Sequence, residues 1–270
     1  MPRFAANLSM MFNEAPFLDR FAAAAAAGFT GVEYLFPYEH PAAEIERCLR
    51  ESGLENVLFN LPPGNWAGGE RGITCLPGRE EEFRRGVATA LDYAVRLKSA
   101  RVHAMAGIVP QGADLGAVHA TYIANLKYAA AEAARHDITL LIEAINTRDM
   151  PGFYLNTQAQ SYAVMEEVGA ANLKIQMDLY HMQIMEGDLA MKLRKYAPVC
   201  GHIQVAGVPA RNEPDTGEVN YSWLFELLDE MDYTGWVGCE YRPAAGTVDG
   251  LGWFRNLRAG VEVRMPVASK

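Results

Sequence analysis

Four oxygen-bearing side chains stand at the ends of short apolar runs in the second half of the chain. They are Glu143 in ITLLIEAIN, Asp178 in LKIQMDLYH, Gln204 in GHIQVAG and Glu240 in WVGCEYRP. Three converging carboxylates would repel one another unless a cation neutralised them. Carboxylate and amide oxygens without a thiolate suit a hard cation such as Mg²⁺ or Mn²⁺. With coordination positions left open, that cation would bind neighbouring carbonyl and hydroxyl oxygens of a substrate and act as a Lewis acid.

Each of these residues also has an ordinary interpretation. A glutamate at a strand end is commonly a solvated loop residue, yet Glu143 and Glu240 lie in strongly apolar runs, where an unpaired charge is costly. Asp178 could cap the turn that follows it, and Gln204 could be a buried hydrogen-bonding amide. Coordination of one metal ion explains all four at once, so we predict a metal site.

The elements that would position these residues follow from the alternation of apolar runs and helical patterns. The pattern predicts eight strands, at 4–8, 31–34, 56–60, 101–105, 139–143, 173–178, 201–205 and 236–241. It predicts eight helices between and after them, at 16–27, 41–52, 79–98, 117–135, 157–168, 188–196, 221–231 and around 251–257. Strands that alternate with helices pair in parallel, and eight such units in this length match a closed (β/α)8 TIM barrel.

The competing fold is an open doubly wound sheet. That fold normally carries a glycine-rich phosphate loop after its first strand, whereas this chain reads NLSMMFNEAP there, without a glycine. No linker divides the chain, so we predict one barrel domain over residues 1–258. The tail, 259–270, is expected to be loosely ordered.

In a barrel of this kind the carboxyl ends of the strands form the active-site face, and further residues there are candidates for substrate contact. His181 follows Asp178 and could donate to a substrate oxygen, and His103 lies in the fourth strand with its direction left open. Arg211, in the loop after strand seven, could pair with a substrate carboxylate. The long loop after strand three contains GERG, so Glu70 and Arg71 could close over the site. For Arg211 and Glu70 the ordinary alternative is a solvated or salt-bridged loop.

Composition limits the partners and the compartment. The net charge is −9 and no block of lysine and arginine occurs, which argues against a nucleic-acid partner. No apolar run reaches the roughly 18 residues of a membrane helix, and the first residues are too polar for a signal peptide. The four cysteines have no CxxC spacing, so we expect reduced thiols in a cytoplasmic protein. A homo-oligomer is compatible with the sequence, which leaves the oligomeric state open.

The chain resembles the hydroxypyruvate isomerase family, within the xylose isomerase-like barrels. The similarity runs through GVEYLFPYEH, FNLPPGNWAGGERGITCLPGREEEFR, LLIEAIN, NLKIQMDLYHMQIMEG, HIQVAGVPARNEPDTGEVNY and GWVGCEYRPAAGTVDGLGWF. The resemblance implies that Glu143, Asp178, Gln204 and Glu240 bind the metal. It also implies that Glu143 and Glu240 are the catalytic acid and base, and that His181 either supports a metal ligand from behind or contacts the substrate.

Two positions depart from the family pattern. Ala144 replaces the proline that commonly follows the strand-five glutamate, and Gly207 stands where relatives often have an acidic residue. Neither change removes a predicted ligand. We expect the second change to alter the rim of the site near the substrate carboxylate.

The resemblance implies the conversion of hydroxypyruvate to tartronate semialdehyde by proton transfer through an enediolate. A hydride shift would need a second metal, for which the sequence offers no evident site. The alternatives are a 2-oxo-tetronate isomerase, a ketose 3-epimerase using the same glutamates, and a metal-dependent phosphodiesterase of the endonuclease IV type, which uses more histidines. A non-catalytic sugar-binding barrel is the non-enzyme alternative.

Overall fold

Eight parallel strands pair in chain order and close on themselves, as the computed structural model shows over its described residues, 1–259. The barrel closes because β8 pairs with β1, with Arg3 opposite Trp236. The predicted TIM barrel is therefore confirmed. The strands are β1 (Arg3–Asn7), β2 (Gly31–Tyr34), β3 (Glu55–Asn60), β4 (Arg101–His103), β5 (Thr139–Glu143), β6 (Leu173–Asp178), β7 (Cys200–Val205) and β8 (Trp236–Cys239).

Helices follow each strand and surround the barrel. Within residues 1–259 they are α1 (Arg20–Ala26), α2 (Ala42–Ser52), α3 (Glu80–Leu97), α4 (Leu115–Ala134), α5 (Gln158–Val168), α6 (Leu179–Met185), α7 (Leu189–Tyr196), α8 (Tyr221–Glu230) and α9 (Gly252–Arg258). The sequence pattern predicted no helix between residues 178 and 188, so α6 was missed. Asp178 caps this short helix directly at the end of β6, which leaves no loop to signal its start.

The helix ends follow local chemistry. Gly53 and Gly169 end α2 and α5 in the left-handed conformation, with φ values of 68° and 69°, which a glycine adopts without strain. A capping box formed by Thr157 and Gln160 begins α5, so two backbone N–H groups of its first turn are satisfied. These stop and start signals set where the loops at the barrel mouth begin.

The outer helices pack on the strands through one continuous apolar layer. In α3 the buried side chains recur at helical spacing, at Phe83, Val87, Ala90, Leu91, Ala94 and Leu97. A second apolar cluster, separate from this layer, includes Leu58 and Trp236, and Leu58 also lines the large cavity described below. The floor of that cavity is therefore in contact with apolar side chains inside the barrel.

Three further sequence expectations concern membrane helices, the cysteines and the C-terminal tail. No helix in the described part of the chain is long and apolar enough to cross a membrane. The four cysteines are free thiols. The tail predicted to be loosely ordered lies outside the described residues from position 260 onward.

Candidate active site

A cavity of about 680 Å³ lies at the carboxyl ends of the strands. Each of the eight strand ends contributes a polar side chain to its wall. They are Asn7, Glu33, Asn60, His103, Glu143, Gln176, Gln204 and Glu240. Glu240 lies one residue past β8, where its backbone N–H still donates to the Val205 carbonyl at 3.2 Å. This cavity is the candidate active site.

The cavity brings three buried carboxylates together. Glu143, Asp178 and Glu240 each present an oxygen, and His181 a ring nitrogen, within 4.8 Å of one another. All four side chains are buried. The chain thus gathers groups that are almost a hundred residues apart in sequence, as the strand-end argument predicted for the carboxylates.

The charge balance of this carboxylate cluster calls for an added cation. The cationic side chain in contact with it is Arg211, whose Nη2 lies 2.6 Å from Glu240 Oε2 and 3.6 Å from Asp178 Oδ2. Burial and the neighbouring carboxylates raise the pKa of Glu143 well above its ordinary value. Burial also raises the pKa of Glu240 to about 8, against the opposing effect of Arg211. The guanidinium of Arg211 therefore does not keep both glutamates ionised at neutral pH, whereas a bound divalent cation would.

Two carboxylate oxygens in the cluster lack partners within the described residues. Glu143 Oε1 and Asp178 Oδ2 are buried and accept no hydrogen bond there. Asp178 Oδ1, by contrast, accepts from the Tyr180 backbone N–H at 2.8 Å and caps α6. The capping interpretation of Asp178 and a ligand role are therefore compatible, because each uses a different oxygen. Two buried carboxylate oxygens that lie close together and accept no hydrogen bond are suited to bind a hard divalent cation.

Gln204 lies on β7 beside this cluster, with both ends of its amide engaged. Its Nε2 donates to Glu33 Oε1 at 2.7 Å, and its Oε1 accepts from Gln176 Nε2 at 2.6 Å. An amide oxygen has two lone pairs, so this oxygen can accept from Gln176 and still bind a cation. The role of Gln204 as a ligand stays a prediction.

Sequence reasoning missed Glu33, a buried carboxylate at the end of β2. It accepts hydrogen bonds from Asn7 at 3.0 Å, His202 at 2.7 Å and Gln204 at 2.7 Å. Asn7 also reaches Glu240 Oε1 at 3.4 Å, so Glu33 is connected to two predicted ligands. The signal was available, because Glu33 stands in the apolar run GVEYLF just as Glu143 and Glu240 stand in theirs.

The position of Glu33 depends on a glycine in β8, which gives a testable prediction. A Cβ at Gly238 would lie 2.3 Å from Glu33 Oε2, and the hydrogen bonds of Glu33 prevent it from moving aside cheaply. We expect Gly238→Ala to lower the free energy of unfolding by about 1–3 kcal/mol through overpacking. Gly252→Ala is the control, because a Cβ there meets nothing within 4 Å. Equal melting temperatures for the two variants would contradict this view of Gly238.

Both predicted histidines line the cavity. His103 points into the barrel mouth, with Nδ1 3.2 Å from Asn60 Oδ1 and 3.8 Å from Glu143 Oε2. Burial lowers the pKa of His103 to about 3, so it is neutral. His181 Nε2 lies 3.5 Å from Asp178 Oδ2, and burial together with Arg211 lowers the pKa of His181 well below its ordinary value.

Arg211 is buried in the cavity rather than solvated in its loop. Its guanidinium stacks over the Tyr180 ring at 4.9 Å while it contacts the carboxylates. Three more arginines line the cavity. Arg71 belongs to the GERG loop that was predicted to close over the site, whereas sequence reasoning did not single out Arg148 and Arg242. The wall above the acidic cluster is therefore cationic.

Two predicted features of the rim lie elsewhere. Glu70 is not part of the cavity wall, because its carboxylate pairs with Arg79 at 2.6 Å in the loop after β3. The neighbouring Arg71 faces the cavity instead, over the Trp66 ring at 4.1 Å. Gly207 is also not part of the wall, and a Cβ there would lie 2.5 Å from the Glu213 carbonyl oxygen. Packing within the loop after β7 accounts for this glycine.

The fold and this site place the chain among known proteins. Residues 21–257 match the family model described as xylose isomerase-like TIM barrel, and the chain belongs to that family. It is 59% identical to a 2-oxo-tetronate isomerase of Cupriavidus necator, over 94% of this chain and 98% of that one. It is 50% identical to a hydroxypyruvate isomerase of Escherichia coli, over 96% of this chain and 100% of that one.

A solved structure shows the same architecture. A Brucella melitensis protein described as an AP endonuclease of family 2 has a TM-score of 0.93 and 51% identity, over 94% of this chain and 98% of that one. The resemblance to hydroxypyruvate isomerases seen in the sequence is confirmed by the curated relatives. Their names also agree with the isomerase class predicted from the sequence.

Proposed function

We propose that this protein is a divalent-metal-dependent isomerase that interconverts hydroxypyruvate and tartronate semialdehyde. The observation that carries the proposal is the pair of buried glutamates, Glu143 and Glu240, clustered with Asp178 around a point where one cation would satisfy all three. The similarity to isomerases over almost the whole chain supports the reaction class. The four-carbon 2-oxo-tetronate is the second candidate substrate, favoured by the 59% identity to the Cupriavidus enzyme.

The metal site would be formed by Glu143, Asp178, Gln204 and Glu240. Mg²⁺ or Mn²⁺ bound there would stabilise the negative charge that develops on the substrate oxygens. Once the carboxylates are ionised in the presence of the cation, either glutamate can act as a base toward carbon. The glutamate that takes the proton from carbon then holds it for return to the neighbouring carbon.

The proposed reaction moves one proton between adjacent carbons. One of Glu143 and Glu240 removes a proton from C3 of hydroxypyruvate, and the C3–H electron pair forms the C2–C3 double bond of an enediolate. A proton is then delivered to C2, while the hydroxyl proton passes from O3 to O2, which leaves an aldehyde at C3. Each proton transfer contributes about 10²–10⁴-fold in rate. His181 and Arg211 lie where they can donate to the substrate oxygens.

The charge of the cavity wall supports an acid as substrate. Arg71, Arg148, Arg211 and Arg242 surround the acidic cluster, and a guanidinium pairs with a carboxylate through two parallel hydrogen bonds. Arg211 is the proposed partner of the substrate carboxylate because it is buried in the cavity wall beside Glu240. A neutral ketose would form no ion pair with these guanidinium groups.

Turnover assays on hydroxypyruvate, 2-oxo-tetronate and common ketoses test the proposal. We expect conversion of a 2-oxo acid with Mg²⁺ or Mn²⁺, loss of activity with a chelator, and recovery when metal is restored. In heavy water, deuterium should enter the carbon that gains the proton. DNA with abasic sites is the substrate that tests the alternative endonuclease activity. Cleavage of this DNA without conversion of either acid would overturn the proposal.

A further inference from the structure

The loop after β5 places Asn146 directly against His181. Asn146 Nδ2 lies 2.6 Å from His181 Nδ1, and the Asn146 backbone N–H points at the same nitrogen from 3.4 Å. Both residues are buried, so no solvent competes for this contact. Two groups that are able to donate thus meet one ring nitrogen.

Asp149 fixes which end of the Asn146 amide faces the histidine. Asn146 Oδ1 accepts from the Asp149 backbone N–H at 2.7 Å, and Asn146 Nδ2 donates to Asp149 Oδ2 at 3.1 Å. Reversing the amide would bring oxygen against a carboxylate and nitrogen against an N–H group. The NH₂ group is therefore the end that meets His181, and Nδ1 must accept its hydrogen bond.

A neutral imidazole that accepts on Nδ1 carries its proton on Nε2. That Nε2 points into the carboxylate cluster, 3.5 Å from Asp178 Oδ2 and 3.9 Å from Glu143 Oε1. A histidine that binds a metal through Nε2 needs the opposite arrangement, with its proton on Nδ1 and an acceptor beside it. His181 is close enough to join the metal ligands, and Arg211 Nη2 faces its Nε2 at 3.4 Å. The shorter contact from Asn146 Nδ2, at 2.6 Å, and the Asn146 backbone N–H together favour Nδ1 as the accepting nitrogen.

We propose that Asn146 is a positioning residue that keeps the proton of His181 on Nε2, so that His181 donates to a substrate oxygen and does not bind the metal. Asn146 acts through His181 and lies behind it, outside the cavity wall. The effect on turnover rests on the proposed function, whereas the position of the His181 proton does not. An experiment can therefore contradict the proton position without contradicting the proposed function, and the reverse.

Nitrogen-15 NMR of the histidine side chains in the Mg²⁺-loaded protein reads the proton position directly. The chain has six histidines, and the signals of His181 are identified by their loss in His181→Gln. We expect Nε2 to be protonated and Nδ1 to be unprotonated. A proton on Nδ1 together with a metal-shifted Nε2 would overturn the proposal, whether or not the protein turns over any acid.

Two variants of Asn146 test the cause. Asn146→Ala removes the 2.6 Å contact, and we expect a proton divided between the two nitrogens, a loss of about 10–100-fold in kcat and little change in KM. Asn146→Asp places an acceptor beside Nδ1, so Nδ1 should become protonated. Asn256→Asp is the matched control, because it makes the same change at an exposed position on α9, outside the cavity wall, and should leave His181 unchanged. If neither Asn146 variant changes the protonated nitrogen, Asn146 does not have this role.

Discussion

Replacing Glu240 with glutamine is expected to lower kcat for the 2-oxo acid by about 10²–10⁴-fold, which is the usual contribution of a general acid or base. The amide keeps the size of the side chain but neither takes nor returns a proton. Glu143→Gln is expected to lower kcat by a similar factor, because both glutamates take part in the proton transfers of the same reaction. Steady-state kinetics at saturating Mg²⁺ measures both.

A matched control separates this loss from damage to the barrel. Glu213 is also a buried glutamate, but it binds the Ala244 backbone N–H and lies outside the cavity wall. Glu213→Gln keeps an acceptor oxygen for that contact, so we expect a kcat close to the original. If Glu240→Gln and Glu143→Gln keep full kcat while they bind Mg²⁺ normally, proton transfer by these glutamates is excluded.

The second large effect is a change of stability with pH that metal reverses. The pKa values of Glu143 and Glu240 are raised in the folded protein, Glu240 to about 8, above the ordinary value of 4.5. The folded state therefore holds more protons than the unfolded state between about pH 4.5 and 8. Stability falls as the pH rises through that window, because the unfolded state releases protons that the folded state retains.

Added metal should remove this loss, because it binds the ionised carboxylates. At a metal concentration 100 times the Kd, binding adds about 2.7 kcal/mol to the free energy of unfolding. Thermal unfolding at pH 5.5 and pH 8, with chelator and with Mg²⁺, measures the effect. We expect a larger Mg²⁺ shift at pH 8, and a smaller loss of stability from pH 5.5 to pH 8 in the double variant Glu143→Gln, Glu240→Gln. A Mg²⁺ shift that is larger at pH 5.5 would contradict the proposed site.

The sequence predicted the barrel and the approach of its carboxylates because both depend on strand order. Parallel strands that follow one another in a closed barrel bring their carboxyl ends to one mouth, so Glu143 and Glu240 meet there once their strands turn those side chains inward. The same rule applied to β2 would have found Glu33. Glu33 was missed because metal ligands were sought only at the ends of strands five to eight.

The rest of the site depends on contacts that no spacing reveals. Glu70 was expected to face the substrate, but the choice between Glu70 and Arg71 is made by Arg79, which pairs with Glu70 from the start of α3. The direction of His103 follows from the register of β4, which the pattern left open. The protonation of His181 follows from Asn146, 35 residues away in sequence.

The most direct test is the position of a bound metal. We predict that crystals grown near pH 8 with Mn²⁺ give one strong anomalous peak in the barrel mouth, within coordination distance, about 2–2.5 Å, of oxygens of Glu143, Asp178, Gln204 and Glu240. His181 Nε2 should lie outside that shell. A barrel mouth without an anomalous peak at a Mn²⁺ concentration that supports full turnover, or a peak whose shell omits both glutamates, would contradict the account.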